Sequence, residues 1–317
     1  MKRCGMALTA CLMLWALAFA AAAEAGIPAV KYTSGGYAVI LMDADGTVTE
    51  DMRERIQQVF FTAYPKMDEA FGPAGKEVTV VGKADTGAAA AYTSGNQIVF
   101  STAYLSDHPE DWDVITHELM HVVQRYPSAG PAWLTEGVAD YGRFLFGLNN
   151  QAAGWHLPES LAGAYYTDGY TSAAEFLRRL EEEFPGIVKE VNERLRAGSY
   201  ADAFWQERTG SGLDALWQRY SGEAARVTVY QHSDFCGFGI ALGPGEYALS
   251  DLNEIGGVSA NDCISSLKVP AGYAVIVYEH DHFQGESARF SEDAPFVGTE
   301  WNDRISSIIV QQSAERH

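Results

Sequence analysis

Two short motifs occur twice, in the same order, toward the C-terminal end of the chain. Tyr230-x4-Phe235-x-Gly237 recurs as Tyr278-x4-Phe283-x-Gly285, and Asn261-Asp262-Cys263-Ile264-Ser265-Ser266 recurs as Asn302-Asp303-Arg304-Ile305-Ser306-Ser307. Such a duplication means that one supersecondary unit is used twice, each copy covering an apolar face of the other. The apolar runs around the motifs are short and rich in β-branched and aromatic residues: Val227–Tyr230, Ser266–Val269, Ala274–Tyr278 and Ile305–Val310. Runs of this length and composition are strands. Residues 226–311 are therefore expected to form an all-β module of strands and turns.

The short polar stretch Ser221-Gly222-Glu223-Ala224-Ala225 marks the module's start. Before it, residues 26–222 mix strands and helices. Tyr37–Met42 and Val78–Val81 read as strands, and Met52–Phe71 has helical spacing. Ala91–Thr93 and Gln97–Phe100, joined through Ser94-Gly95-Asn96, predict a hairpin. From Trp112 to Tyr220 the pattern is mostly helical. The fold class is thus an α+β domain followed by an all-β one.

With 47% hydrophobic residues in 317, the chain buries too much apolar surface to be disordered. Its formal charge of −20 repels phosphate backbones, so nucleic acid is not an expected partner. A monomer is expected. Residues 1–25 read as a secretory signal: Lys2 and Arg3, an apolar run from Met6 to Ala23, then Ala23-Glu24-Ala25 as a cleavage pattern. An uncleaved anchor is the alternative. Cleavage gives a secreted or periplasmic protein with no stable membrane association. Of the four cysteines, Cys236 and Cys263 then remain. In an oxidising compartment they are a candidate disulfide, with two free thiols as the alternative.

His117-Glu118-Leu119-Met120-His121 carries the chemistry. Histidines at i and i+4 share one helix face and can hold one metal ion, and Glu118 beside them can take a proton from water at that metal. A catalytic zinc needs a third protein ligand, and Glu136 in Trp133–Tyr141 offers one. Asp140, one turn further, can hydrogen-bond a ligating histidine. Two other readings stay open: Asp140 ligates instead of Glu136, or the pair only caps its helix.

At these residues the chain resembles the gluzincin branch of zinc peptidases, and more closely the basic secretory protein family of plants and bacteria. Ala91–Ile98, His117–Gln124, Glu136–Tyr141, Asp168–Tyr170 with Ala174–Leu177, and the tail from Leu195 to Tyr220 follow that family in order. The resemblance implies a zincin-like metallopeptidase acting on peptide or protein substrates. Two departures are an acidic chain and a short His121-x14-Glu136 spacing. Tyr170 is the candidate oxyanion donor, by a loose match to aminopeptidases of that branch; a packing tyrosine is the alternative, and Tyr165 and Tyr166 compete. The strand Gln97–Ser101 could align an extended peptide by strand addition, which favours endopeptidase action.

The duplicated part resembles the βγ-crystallin fold, two Greek-key motifs packed as a sandwich. The resemblance implies two calcium sites. Asp262 and Ser265 would serve one and Asp303 and Ser306 the other, with Asn261 and Asn302 assisting. Turns that bind no metal are the alternative. The functional expectation is a secreted zinc metallopeptidase with a calcium-binding module; a non-catalytic surface- or wall-binding protein with structural zinc is the alternative. Asp43-x-Asp45-Gly46 and the His280-Asp281-His282 run read as turns, and His156 as a surface residue.

Overall fold

The computed structural model describes residues 28–87, 89–128, 130–222 and 225–312, so the signal segment 1–25 lies outside the described residues. In chain order the elements are β1 (Ala29–Ser34), β2 (Tyr37–Asp43), α1 (Glu50–Phe71), β3 (Glu77–Lys83), β4 (Ala91–Ser94), β5 (Gln97–Ser101), α2 (Thr102–Asp107), α3 (Val114–Gln124) and α4 (Ala132–Phe146). Next come α5 (Tyr170–Glu183), α6 (Ile187–Arg196), α7 (Ala203–Thr209) and α8 (Leu213–Ser221). The duplicated part holds β6 (Val227–His232), β7 (Cys236–Leu242), β8 (Gly245–Tyr247), α9 (Leu249–Gly256), β9 (Ser266–Lys268), β10 (Tyr273–His280), β11 (Gln284–Phe290) and β12 (Ser307–Gln312). Helix α9 corrects the expectation of strands and turns alone. Its apolar residues are few, and Leu252 is its one buried anchor.

The chain packs as two compact units that do not follow its linear order. One comprises residues up to 128 with 138–157 and 185–199; the other comprises 129–137, 158–184 and 200 onward. The first is built on a sheet of order β1-β2-β3-β5-β4. β2, β3 and β5 run parallel, as the near-continuous apolar runs of β2 and β3 require. β1 and β4 pair antiparallel at the two edges. The α1 face Ile56, Phe60, Ala63, Tyr64 and Met67 is wholly buried, as are Ile115, Leu119 and Val123 of α3. The 3.6-residue period that predicted α1 also sets this face. Thr49 caps α1 by accepting from the Met52 N–H.

β5 lies between β3 and β4, so Gln97–Ser101 has no free edge for a substrate strand. β4 is the edge strand, and the strand-addition expectation moves to Ala91–Ser94.

In the second unit, two sheets of order β11-β10-β12-β8 and β7-β6-β9 form the sandwich. β8 from the first half pairs with β12 of the second, and Ala294 of the second half bridges to Leu267 of the first. The exchange interlocks the two halves. Their core holds Val227, Val229, Leu267, Val275, Val277 and Ile308, all fully buried. Burying a side chain of this size contributes about 1.5–3 kcal/mol.

The two repeated motifs touch each other, which explains why they recur together. Ser266 Oγ donates to the His232 carbonyl (2.5 Å) and accepts from the Phe235 N–H (3.1 Å). Ser307 Oγ does the same with the His280 carbonyl (2.7 Å) and the Phe283 N–H (2.9 Å). Tyr230 meets Phe235 edge to face at 5.7 Å, and Tyr278 meets Phe283 at the same distance. Gly237 sits at φ 78°, where a Cβ would fall 2.8 Å from Gln231 Cβ; Gly285 is at φ 80°, close on the His280 ring.

The same unit buries a polar cluster. The Lys268 ammonium is bonded to Asp202 and lies 5.2 Å from the Phe235 ring centre. Tyr165 and Tyr166 hydroxyls donate to Asp214 (3.2 and 3.0 Å), and Tyr166 lies 3.5 Å from Tyr230 across to the sandwich. Burial pushes Tyr165, Tyr166 and Tyr230 far above the ordinary phenol range.

Candidate metal centre

Helix α3 ends where Arg125 takes a left-handed φ of 43° and its N–H reaches back to the His121 carbonyl (3.4 Å). Pro127 follows, which cannot continue a helix. Within α3 the i, i+4 spacing brings the two imidazoles together edge to face, and their Nε2 atoms lie 3.1 Å apart. His117 Nδ1–H donates to Asp140 Oδ1 at 2.6 Å. His121 Nδ1–H donates to Gln124 Oε1 at 2.7 Å. With both protons fixed on Nδ1, both Nε2 atoms carry lone pairs that face each other at contact distance. That arrangement repels unless a cation or a proton stands between them.

One ligand atom from each of His117, His121 and Glu136 lies within 4.8 Å of the others. His117 is buried, and the other two are half-buried. Two imidazole nitrogens and one carboxylate are the donor set of a catalytic zinc site with an open position. Asp140 is hydrogen-bonded to His117, and the carboxylate that groups with the two histidine nitrogens is that of Glu136.

The close approach of α4 to α3 depends on Gly142. A Cβ there would fall 2.8 Å from Met120 Cγ, on the helix that carries His117 and His121. The sequence reading passed over this glycine.

Gln124 also escaped the sequence reading. It is buried, and its amide hydrogen-bonds the Tyr126 hydroxyl. Tyr126 in turn donates to Asn192 Oδ1 (3.0 Å), and Asn192 Nδ2 to the Phe71 carbonyl (2.9 Å). The chain of bonds sets the amide's direction, so that its oxygen faces His121. Burial pushes the Tyr126 phenol well up, which keeps it a donor to Asn192 at any working pH.

Glu118 is 5% exposed, and its Oε2 accepts from Thr93 Oγ1 at 2.6 Å. Tyr170 opens α5 with a left-handed φ of 45° and is 56% exposed. The preceding Gly169 abuts the Glu136 helix: a Cβ on it would lie 3.9 Å from Glu136 Cβ. Tyr165 and Tyr166 are fully buried with hydroxyls committed to Asp214, so they are core residues and not rivals of Tyr170. His156 is exposed with its Nδ1 3.0 Å from the Leu157 carbonyl oxygen, and Asp43 closes a turn on the Thr47 N–H (2.9 Å).

In the duplicated module the two Asn-Asp loops lie side by side. The Asp262 N–H donates to the Ile305 carbonyl (3.3 Å) and the Asp303 N–H to the Ile264 carbonyl (3.4 Å). Ser306 Oγ meets Asp262 Oδ1 and Asn261 Oδ1, both at 3.2 Å, while Ser265 Oγ meets Asp303 Oδ1 at 3.5 Å. Each serine hydroxyl thus faces the Asp of the other loop and not that of its own. Left-handed φ values of 52° at Asp262 and 58° at Asp303 turn each carboxylate toward the other loop. Asn302 Nδ2 donates to Asp303 Oδ2 at 2.6 Å, as Asn261 does to Asp262.

The expected disulfide is corrected. Cys236 and Cys263 are not bonded to each other, and each Sγ is turned to a carbonyl of its own turn: Asp234 at 3.6 Å and Ser259 at 3.4 Å. Burial, with Asp303 and Asp262 nearby, pushes the Cys263 thiol up, away from the thiolate that oxidation needs.

Comparison with known proteins covers both parts. The chain is 37% identical over 86 residues to development-specific protein S of Myxococcus xanthus, which takes in 27% of this chain and 48% of that one. A homolog of that protein matches equally over 47% of its length, so the chain spans about half the length of the curated relatives it matches. Among solved structures, a βγ-crystallin domain from Flavobacterium johnsoniae is 41% identical, covering 28% of this chain and 96% of its own, with a TM-score of 0.27. One from Clostridium beijerinckii is 40% identical over 27% of this chain and 95% of its own, with a TM-score of 0.26. The model of a family described as peptidase of plants and bacteria matches residues 31–220, which take in α3, α4 and α5. More than half of the chain falls within that match, and the chain belongs to this family of peptidases of plants and bacteria.

Proposed function

We propose that the chain is a secreted zinc metallopeptidase, and that its duplicated module binds calcium. The observation that carries the zinc assignment is the facing pair of His117 and His121 Nε2 lone pairs with the Glu136 carboxylate in reach. When bound there, zinc supplies Lewis-acid polarisation of a water and of the scissile carbonyl. His117, His121 and Glu136 would hold it, with Asp140 and Gln124 fixing the ring tautomers. Glu118 takes a proton from the attacking water on its carboxylate and passes it to the leaving amine. The Tyr170 phenol donates to the oxygen that gains charge, a role that fits its exposure and its left-handed backbone beside Gly169.

An extended peptide or protein is the substrate class. The free edge of β4 supports it, because a substrate strand can pair there along Ala91–Ser94 and be cut internally. Among the described residues no helix is long and apolar enough to cross a membrane. Calcium would sit between the crossed Asp262–Ser306 and Asp303–Ser265 pairs, with Asn261 and Asn302 alongside.

The test is hydrolysis of unstructured casein by the full chain, with and without a zinc chelator, beside Glu118→Gln. Cleavage that stops with the chelator and falls about a hundredfold or more in the variant, with zinc retained, is expected. Equal cleavage by the Gln variant would sink the mechanism.

A further inference from the structure

We infer that Thr93, on the edge strand β4, is the residue that positions Glu118 for proton transfer. The inference rests on the zinc-peptidase reading and extends it to a residue remote in sequence. One hydroxyl makes two contacts with one residue: Thr93 Oγ1 is 2.6 Å from Glu118 Oε2 and 3.1 Å from the Glu118 carbonyl oxygen. The short contact to a carboxylate is a charge-assisted bond, the stronger of the two. It holds one carboxylate oxygen and fixes the plane of the group, so the proton from water goes to the other oxygen, Oε1.

The geometry of Thr93 suits the task. Threonine is branched at Cβ and stiff at χ1, so its hydroxyl direction is set by the strand backbone. That backbone is itself held: Thr93 pairs with Ile98 of β5, and the register is closed by the Ser94–Gln97 pair next to the turn. The strand's alternation sends Tyr92 outward, 41% exposed, while Thr93 turns toward α3. Glu118 is 5% exposed, so little water competes for Oε2. The proposal also ties the base to the substrate groove. A peptide that pairs along Ala91–Ser94 stiffens the strand that aims Glu118.

The residue is a positioning residue, so its test reads turnover apart from binding. Full-length wild type, Thr93→Val and Thr93→Ser are compared on a peptide substrate, with zinc content measured for each. Val keeps the branched shape and removes the hydroxyl; Ser keeps the hydroxyl. Thr93→Val is expected to lower kcat about tenfold to a hundredfold with KM and zinc content nearly unchanged. Thr93→Ser is expected to recover most of the loss. If Thr93→Val does not fold, Thr93→Ser against Thr93→Ala reads the same hydroxyl. A hydroxyl-free variant with wild-type kcat overturns the inference alone, as does a Ser variant no better than Val or Ala. A zinc-loaded wild type that cleaves no peptide overturns the peptidase reading, and this inference with it.

Discussion

Ser306 and Asp262 come from opposite halves of the duplication, and their side-chain oxygens lie 3.2 Å apart. The crossing makes a prediction about how calcium is lost. Asp262→Ala with Ser306→Ala strikes one crossed pair and should leave one calcium per chain. Asp262→Ala with Ser265→Ala strikes both pairs and should leave none. Titration calorimetry of the full chain with calcium separates the cases. The reverse result would restore the pairing within each loop.

Zinc retention should depend on residues that do not touch the ion. Asp140→Asn and Gln124→Leu each release an imidazole from its fixed tautomer. Each is expected to weaken zinc binding about tenfold to a hundredfold, against near-total loss for His117→Ala. Competition with a chromophoric chelator measures this. Unchanged affinity in both would mean that the ring orientations are set elsewhere.

Tyr170→Phe removes one hydroxyl from an exposed ring and should leave stability almost untouched. If the phenol serves the developing oxyanion, kcat falls roughly tenfold to a hundredfold while zinc stays bound. Steady-state kinetics with metal analysis decides it; an unchanged kcat would return Tyr170 to the surface.

Acid stability has a contribution that can be assigned. Burial alone would raise the Asp68 carboxyl, but the Ala74 N–H, Lys76 and Tyr37 together hold it below the usual carboxylate range. A carboxyl with a lowered folded-state pKa stabilises the fold above its unfolded value of about 3.9. That contribution is lost as pH falls through the lower, folded value. The stability gap between wild type and Asp68→Asn should thus be widest near neutrality and close on acidification below about pH 4. Urea melts across pH check the sign; a gap that widens in acid would contradict it.

The sequence disclosed what local spacing controls. The His-Glu-x-x-His face and the α1 stripe follow from a period of 3.6, and β2 and β3 from short continuous apolar runs, and those survived folding. Contacts that depend on chain crossings did not show. Thr93 meets Glu118 across 25 residues of separation, and Ser306 meets Asp262 across 44. No periodicity carries such information. Gln124 looked like an ordinary helix end, because its value lies in a bond network that runs through Tyr126 to Asn192. Cys236 and Cys263 illustrate the same limit, since pairing needs sulfur directions that composition does not contain.

The buried ammonium of Lys268 bears on how far this protein is modular. Asp202, half-buried, lies before the duplicated strands and the buried Lys268 within them, and each neutralises the other. A cut at residue 226 would strand that cation, together with the inward hydroxyl of Tyr230, on a newly wetted surface. The crystallin-like segment is therefore no interchangeable cassette. Grafted onto another protein, it would need its own substitute for Asp202.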